Sequence, residues 1–464
     1  MIYTILPEKD TYITNRVINS FNCNKSNVGK AATLDIFKLN NENDDVKSWA
    51  ILNILETLPT NGETFTLTDS KGNQVVFKFV SGQDNGTPGE TVSGEDNIKI
   101  GLGSTPFTSS QLTLQIKNII NAVSSVTQTG PSGNLTLEIT ALSSSTTILL
   151  EQNNKGESGD KQITQSSSPN LLVKKNFGRL EYSNILIKFD LAKFKTDNIS
   201  NFSNSVFSNK SNFKAELELI DISLGHSKPY DYSLTLFPLS KSFDEGLGKD
   251  TISFEDIDSC NFVTSSLNKT TGIYNTWGIN NLLVENIDFY QNNNGTSLTA
   301  NFNVEKGDEN IKLDITEYLH QFLSNNINDN GFSIRLGDTS LFDESSYFVK
   351  RLGSKHLLNK KYIPRLNIEI NDSSYYLPKN NTDISRYYNS SHDFYLYNKQ
   401  GGLLKDIPVP TGLSNNNFSA SLKYNDFELI KKGLGSSEDI TKYTNLFGAE
   451  LNGIYKFTVA DNEV

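Results

Sequence analysis

The sequence predicts a mainly β protein: an antiparallel β-sandwich split by a small inserted α+β domain and followed by a small C-terminal β unit. Three observations predict it. Apolar and polar residues alternate in several separate runs, the mark of half-buried strands. Clusters of Asn, Ser, Gly and Asp, which favour turns, lie between these runs. Between about residue 56 and residue 168 the composition shifts toward Thr, Ser and Gly, and the best helical pattern of the chain falls inside that stretch. A chain of 464 residues is longer than one core usually supports, so roughly two to four domains are expected.

The elements follow in order. Leu34 and Ile36, then Trp49 and Ile51, read as strand material before the insert. The insert opens with a hairpin, Phe65 and Leu67 leading into the turn 69–73 and then Val75, Phe77 and Phe79. A glycine-rich loop (82–94) precedes a helix over 108–126, where Leu112, Ile116, Ile119, Ile120 and Val123 share one face behind a Ser/Thr cap. Strands at 134–140 and 146–151 complete the unit. Alternation resumes in 183–191, with Ile185, Ile187, Phe189 and Leu191 on one side and Leu186, Lys188 and Asp190 on the other. It recurs in 213–220, 232–238 and 364–370. A second helix over 314–323 carries Ile315, Tyr318, Leu319 and Phe322 as an apolar stripe, with Asp314 as N-cap and Glu317 three residues on. The expected domains are 1–55 with 169–370 (split sandwich), 56–168 (insert) and 371–464 (C-terminal β unit). Insertion at an exposed loop is tolerated when the ends of the insert lie close together.

Composition narrows the function. Lys+Arg 42 against Asp+Glu 53 leaves a net charge of −11, which argues against nucleic-acid binding, because neutralising phosphates needs a concentrated basic surface. With 36% hydrophobic residues the chain has too much core material for disorder. Cys23 and Cys260 are far apart and read as free thiols of a reducing cytoplasm. Residues 1–10 show no signal-peptide pattern, and no stretch approaches a membrane span, so no membrane insertion is expected.

Motifs for chemistry are scarce. His226, His320, His356 and His392 show no ligand spacing, and no G-x-S-x-G elbow nominates a nucleophile. The Gly-Leu-Gly steps at 101–103, 246–248 and 433–435 do not continue as phosphate cradles and read as turns. Asp244-Glu245 and Glu255-Asp256 read as loop carboxylates, because adjacent residues on a strand face opposite ways. The run Asn40-Asn41-Glu42-Asn43-Asp44-Asp45 has the composition of a calcium loop but not the EF-hand offsets, and reads as a solvated turn. No catalytic, cofactor or metal residue is assigned. The candidate surface is aromatic: Tyr375, Tyr376, Tyr387, Tyr388, Tyr395 and Tyr397 sit among Asn, Ser and Asp. Such tyrosines suit a subunit interface, the favoured reading, or a glycan surface.

Several short motifs occur in an order that resembles the DNRLRE-type β-sandwich domain. They are Asp10-Thr11-Tyr12-Ile13, Asn27-Val28-Gly29 before Thr33-Leu34-Asp35-Ile36, the run 185–191 ending Phe189-Asp190-Leu191, and Ala215-Glu216-Leu217-Glu218-Leu219. Phe243-Asp244-Glu245-Gly246, Asp314-Ile315-Thr316 and Pro364-Arg365-Leu366 follow. The family usually has Trp where Phe243 stands, and its first two marks lie closer together than here. The stretch that separates them, with Pro59-Thr60-Asn61-Gly62-Glu63-Thr64-Phe65-Thr66-Leu67 and Asp69-x-x-Gly72, resembles a module of phage structural proteins. With the downstream Leu396-Tyr397-Asn398, the whole looks like virion proteins of tailed phages.

The resemblance implies a jelly-roll-like sandwich and no enzyme. The expected role is a structural component of a tailed-phage virion, in tail, baseplate or neck, assembled in the host cytoplasm and bound to other virion proteins and to copies of itself. The alternative is a glycan-binding host-recognition protein, with host surface glycan as the partner. A depolymerase has no positive mark, since the repeats of β-helical tail enzymes are not found in the sequence.

Overall fold

A computed structural model describes residues 2–82, 87–103, 107–166, 170–199, 202–223, 229–252, 254–278, 288–290, 292–293, 295–370, 392–400, 403–404, 406, 419–424, 427–434, 438–444 and 448–459. The protein is mainly β, with several antiparallel sheets and a few short helices. One sandwich layer is seven-stranded. Its order is Ala300–Val304, Tyr232–Pro238, Phe332–Leu336, Leu180–Phe189, Thr33–Asn40 and Tyr347–Gly353, with Pro7–Thr14 also paired to Leu180–Phe189. The other layer is Ile2–Ile5, Arg365–Ile370, Phe213–Leu219 and Ile311–Asp314.

Alternation explains how the layers meet. In Phe213–Leu219 the residues Phe213, Ala215, Leu217 and Leu219 are buried while Lys214 is exposed. They join Leu366 and Ile368 from one layer and Ile185, Ile187, Leu234 and Ile334 from the other in a single core. Each fully buried aliphatic side chain there contributes roughly 1.5–3 kcal/mol.

Leu180–Phe189 departs from the expected one-sided strand. Leu186, Tyr182 and Asn184 on its second face are also buried, so it is a central strand covered on both sides. The chain then leaves the sheet earlier than the alternation implies. Asp190 accepts the Lys193 N–H at 2.9 Å and caps a helix, Leu191–Asn198, which buries Leu191 and Phe194. The second helix also begins later than expected, at Thr316–Leu323. Asp314 is not its N-cap: it ends the strand Ile311–Asp314 opposite Glu216, and its carboxylate accepts the Thr316 N–H at 2.8 Å. Glu317 instead accepts from Lys210 (2.8 Å) and Gln321 (2.7 Å).

The insert forms around the helix Ser109–Ser125, whose Thr108 and Gln111 make a reciprocal capping box. Its buried face carries Leu112, Ile116, Ile119, Ile120 and Val123. The hairpin Thr64–Thr68 and Gln74–Val80 extends to Thr164–Gln165 on one side and, in parallel, to Ile98–Gly101 on the other. Asp69 shapes the hairpin turn by accepting the Lys71 and Asn73 N–H groups, both at 2.9 Å.

A third sheet joins insert and sandwich: Ile139–Ser144, Thr147–Lys155, Lys47–Ile54 and Leu171–Gly178. Its strands are two-faced. Trp49, Ile51 and Leu149 belong to the sandwich core, while Ala50, Leu52, Ile54, Ile148 and Leu150 belong to the insert core. Period 2 makes this possible, because neighbouring residues of one strand face opposite sides. The two ends of the insert adjoin, with Ile54 opposite Leu171 in the register. We expect native-state hydrogen exchange to give strands 47–54 and 74–80 the same opening free energy. Clearly earlier exchange of 74–80 would mean that the insert opens alone.

The C-terminal unit has a three-stranded sheet, His392–Tyr397, Glu450–Val459 and Ile440–Thr444, and a hairpin, Ser419–Tyr424 with Phe427–Lys432. No helix among the described residues is long and apolar enough to cross a membrane.

Candidate functional site

The densest polar cluster lies at one end of the sandwich, where four distant segments meet. Strand Pro7–Thr14 supplies Asp10, the loop after Cys23–Lys25 supplies Asn27 and Lys30, the loop after Tyr232–Pro238 supplies Glu245, and the segment after Tyr347–Gly353 supplies Lys355 and His356. Glu245 is the hub. Its Oε2 meets Lys30 Nζ at 2.6 Å, and its Oε1 meets Lys355 Nζ at 2.6 Å, accepts the Asp10 N–H at 3.1 Å and lies 3.5 Å from His356 Nε2. Burial pushes its carboxyl up, but the two lysine hydrogen bonds outweigh burial and hold it below the ordinary carboxylate range.

Asp10 shows the opposite balance. It is 1% exposed, and burial pushes its pKa up to about 7, against a hydrogen bond from the Lys355 backbone that lowers it. One oxygen accepts that N–H at 2.6 Å, and the other has no hydrogen-bond partner among the described residues. Burial lowers the pKa of His356.

Asn27 forms a second hub beside the first. Its amide donates to Asp256 Oδ2 and to the Cys260 carbonyl, both at 2.9 Å, and its carbonyl accepts the N–H groups of Gly29 (3.2 Å) and Gly248 (3.0 Å). Backbone approaches here leave no room for side chains. A Cβ on Gly29 would collide with the Glu245 and Gly246 carbonyls, and one on Gly248 with the Asn27 carbonyl. Gly246-Leu247-Gly248 is therefore a close-packed turn, as its sequence suggested.

Among the described residues, Asp10, Glu245 and His356 are the set whose possible metal-ligating atoms lie within 4.8 Å of one another. Their surroundings do not suit a divalent ion. Two ammonium groups already pair with Glu245, and a dication would have to displace one of them from a half-buried position. The cluster can take up a proton, and it ties loops together.

The acidic run 40–45 is also built around a basic side chain. The Arg179 guanidinium pairs with Asp44 and with Asp160 (3.0 Å), and the Arg179 N–H donates to Asn41 at 2.8 Å. Asn43 donates to the Val17 carbonyl at 2.8 Å, so the turn is fastened to the sandwich.

A cleft of about 390 Å³ lies where sandwich and insert meet, with Asn22, Asn24 and Asp45 on its rim and Trp49, Tyr182 and Phe262 beneath. Those rings are engaged by the protein itself. Tyr182 packs edge-on against Phe262 at 5.4 Å, and the Lys175 ammonium lies 4.6 Å from the Trp49 ring. That ammonium donates to the carbonyls of Trp49, Asn176 and Gly178, and burial lowers its pKa to about 7.

The tyrosines named from sequence divide. Tyr375, Tyr376, Tyr387 and Tyr388 lie outside the described residues, as does His226. Tyr397 is exposed, but Tyr395 is buried, edge-on against Tyr443 at 5.3 Å, because the sheet packs apolar groups on both faces. It is a core residue and not part of an open aromatic surface. Cys23 and Cys260 are buried separate thiols. Sequence reasoning treated Glu245 as one loop carboxylate among many and missed the hubs. The available signal was that Asp10, Asn27-Gly29 and Glu245-Gly246 all belong to the motifs quoted above.

Fold and site together define a class: a β-sandwich protein with a wedded α+β insert, whose motif-bearing polar residues fasten its loops. Compared with known proteins, the chain matches no family model and no curated protein.

Proposed function

We propose that this protein is a structural component of a tailed-bacteriophage virion, placed in tail, baseplate or neck and working through protein–protein contacts without catalysis. The observation that carries the proposal is the use made of the motif residues. Asp10, Asn27, Gly29, Glu245 and Gly246 are held in a hydrogen-bonded and ion-paired knot that locks three loops of the sandwich. Such fastening suits a module that must keep its shape within an assembly. The insert, sharing a two-faced sheet with the sandwich, adds a second body without a flexible tether. The order of the motifs along the chain supports the phage assignment.

Immunogold electron microscopy of a phage lysate, with antibodies raised against the recombinant chain, tests the reading. Label at one fixed station on the particles is expected. Label on no particle would overturn it, and label confined to fibre tips would replace it with the host-recognition reading.

A further inference from the structure

The knot end of the sandwich also carries an unusual concentration of exposed apolar side chains. Leu247, Ile252, Phe254 and Ile257 are between 43% and 66% exposed within one loop. Beside that loop, Leu358 is 98% exposed, the most open large apolar side chain among the described residues, and Tyr362 is 40% exposed. The two segments adjoin through the hub. Leu247 follows Glu245 by two residues, Leu358 follows His356 by two, and Glu245 contacts both Lys355 and His356. Single exposed leucines are ordinary, but a cluster rimmed by charge marks a contact surface.

The charges on the two lobes are opposite. The 247–258 loop exposes Asp250, Glu255 and Asp258 against a single Lys249, while the 354–362 segment exposes Lys360 and Lys361 and has no acid, its Lys355 and His356 facing Glu245. We propose that this end of the sandwich is a self-association surface whose occupant is a second copy of the same chain. A partner of one sign would be repelled by one lobe. A second copy related by a two-fold axis sets the basic lobe of each molecule on the acidic lobe of the other, and does so twice. Leu358 then seats between Ile252, Phe254 and Ile257 of the mate and leaves water. This inference stands apart from the virion assignment, since a self-complementary patch acts in or out of a particle.

Sedimentation of the full chain at about 50 μM, which reports dissociation constants up to roughly that value, tests it. The wild type is expected to dimerise, and more weakly as salt is raised. Leu358→Asp is expected to be monomeric with an unchanged melting profile, because the side chain it replaces touches almost nothing within its own molecule. Lys360→Glu with Lys361→Glu should weaken association at least about tenfold. Adding Glu255→Lys and Asp258→Lys to that pair should restore it. A wild type that stays monomeric overturns the proposal, and so does an oligomer that survives both Leu358→Asp and the lysine reversals.

Discussion

Replacing Asp10 by Asn is expected to stabilise the protein at pH 8 by as much as about 4 kcal/mol and to leave it nearly unchanged at pH 4. Burial raises the Asp10 pKa from its ordinary 3.8 to about 7. Between those values the folded chain holds a proton that the unfolded chain has released, so stability falls as pH rises across that window. Above the folded value the full cost of a buried charge is present. The amide introduced by Asp10→Asn carries no charge, and its oxygen can still accept the Lys355 N–H that Asp10 accepts at 2.6 Å. Its nitrogen takes the place of the oxygen that accepts from no donor among the described residues, so no existing hydrogen bond is lost.

Glu245 acts in the other direction in both proteins. Its depressed pKa contributes stability above the ordinary carboxylate range, which is lost as pH falls. Lys175, lowered to about 7, makes stability rise between pH 7 and its ordinary 10.5. Because both contributions are shared, the difference between variant and wild type isolates Asp10. Urea unfolding at pH 4, 6 and 8 measures it. A gap between the two proteins that stays constant across those pH values would show that Asp10 is not the titrating group.

Gly29→Ala is expected to destabilise the sandwich by more than about 3 kcal/mol or to prevent its folding. The added methyl would meet the backbone carbonyls of Glu245 and Gly246, and neither can rotate away as a long side chain could. Moving them would disturb the Asn27 hub and the Glu245 ion pairs together. Gly62→Ala is the control. Gly62 has a φ of +85° and no atom within 4 Å of an added Cβ, so only the left-handed backbone penalty of about 1 kcal/mol applies there. Urea midpoints of the two variants compare collision with backbone preference, and equal losses would contradict the close approach.

Much of the fold was legible because its signals are local. The hairpin around Asp69 needs only alternating apolar residues and a turn-forming acid between them, and it forms as expected. The helix Ser109–Ser125 carries both its cap and its apolar stripe within its own length. Errors came where one local rule extended too far. Alternation through Phe189 and Leu191 suggested continued strand, whereas Asp190 caps a helix in which Leu191 is still buried. Asp314 had the spacing of a cap, but pairing with Glu216 kept it in the sheet.

The sequence by itself determined where the hairpin around Asp69, the alternating strands Phe213–Leu219, Tyr232–Pro238 and Arg365–Ile370, and the long helix fall, because period, capping and turn chemistry depend on residues a few positions apart. It also determined that the fold is mainly β. Only the tertiary structure decided what each face meets. Alternation says that Trp49 and Ala50 point opposite ways, but not that each enters a different core. It marks Tyr395 as aromatic, but not as covered by Tyr443. Asp10 and Glu245 lie 235 residues apart, and nothing in either neighbourhood names the other. Burial between them raises one carboxyl while lysines from two further segments lower the other. The environment that sets a side chain's chemistry is assembled by long-range packing, so it comes into being only when the chain folds.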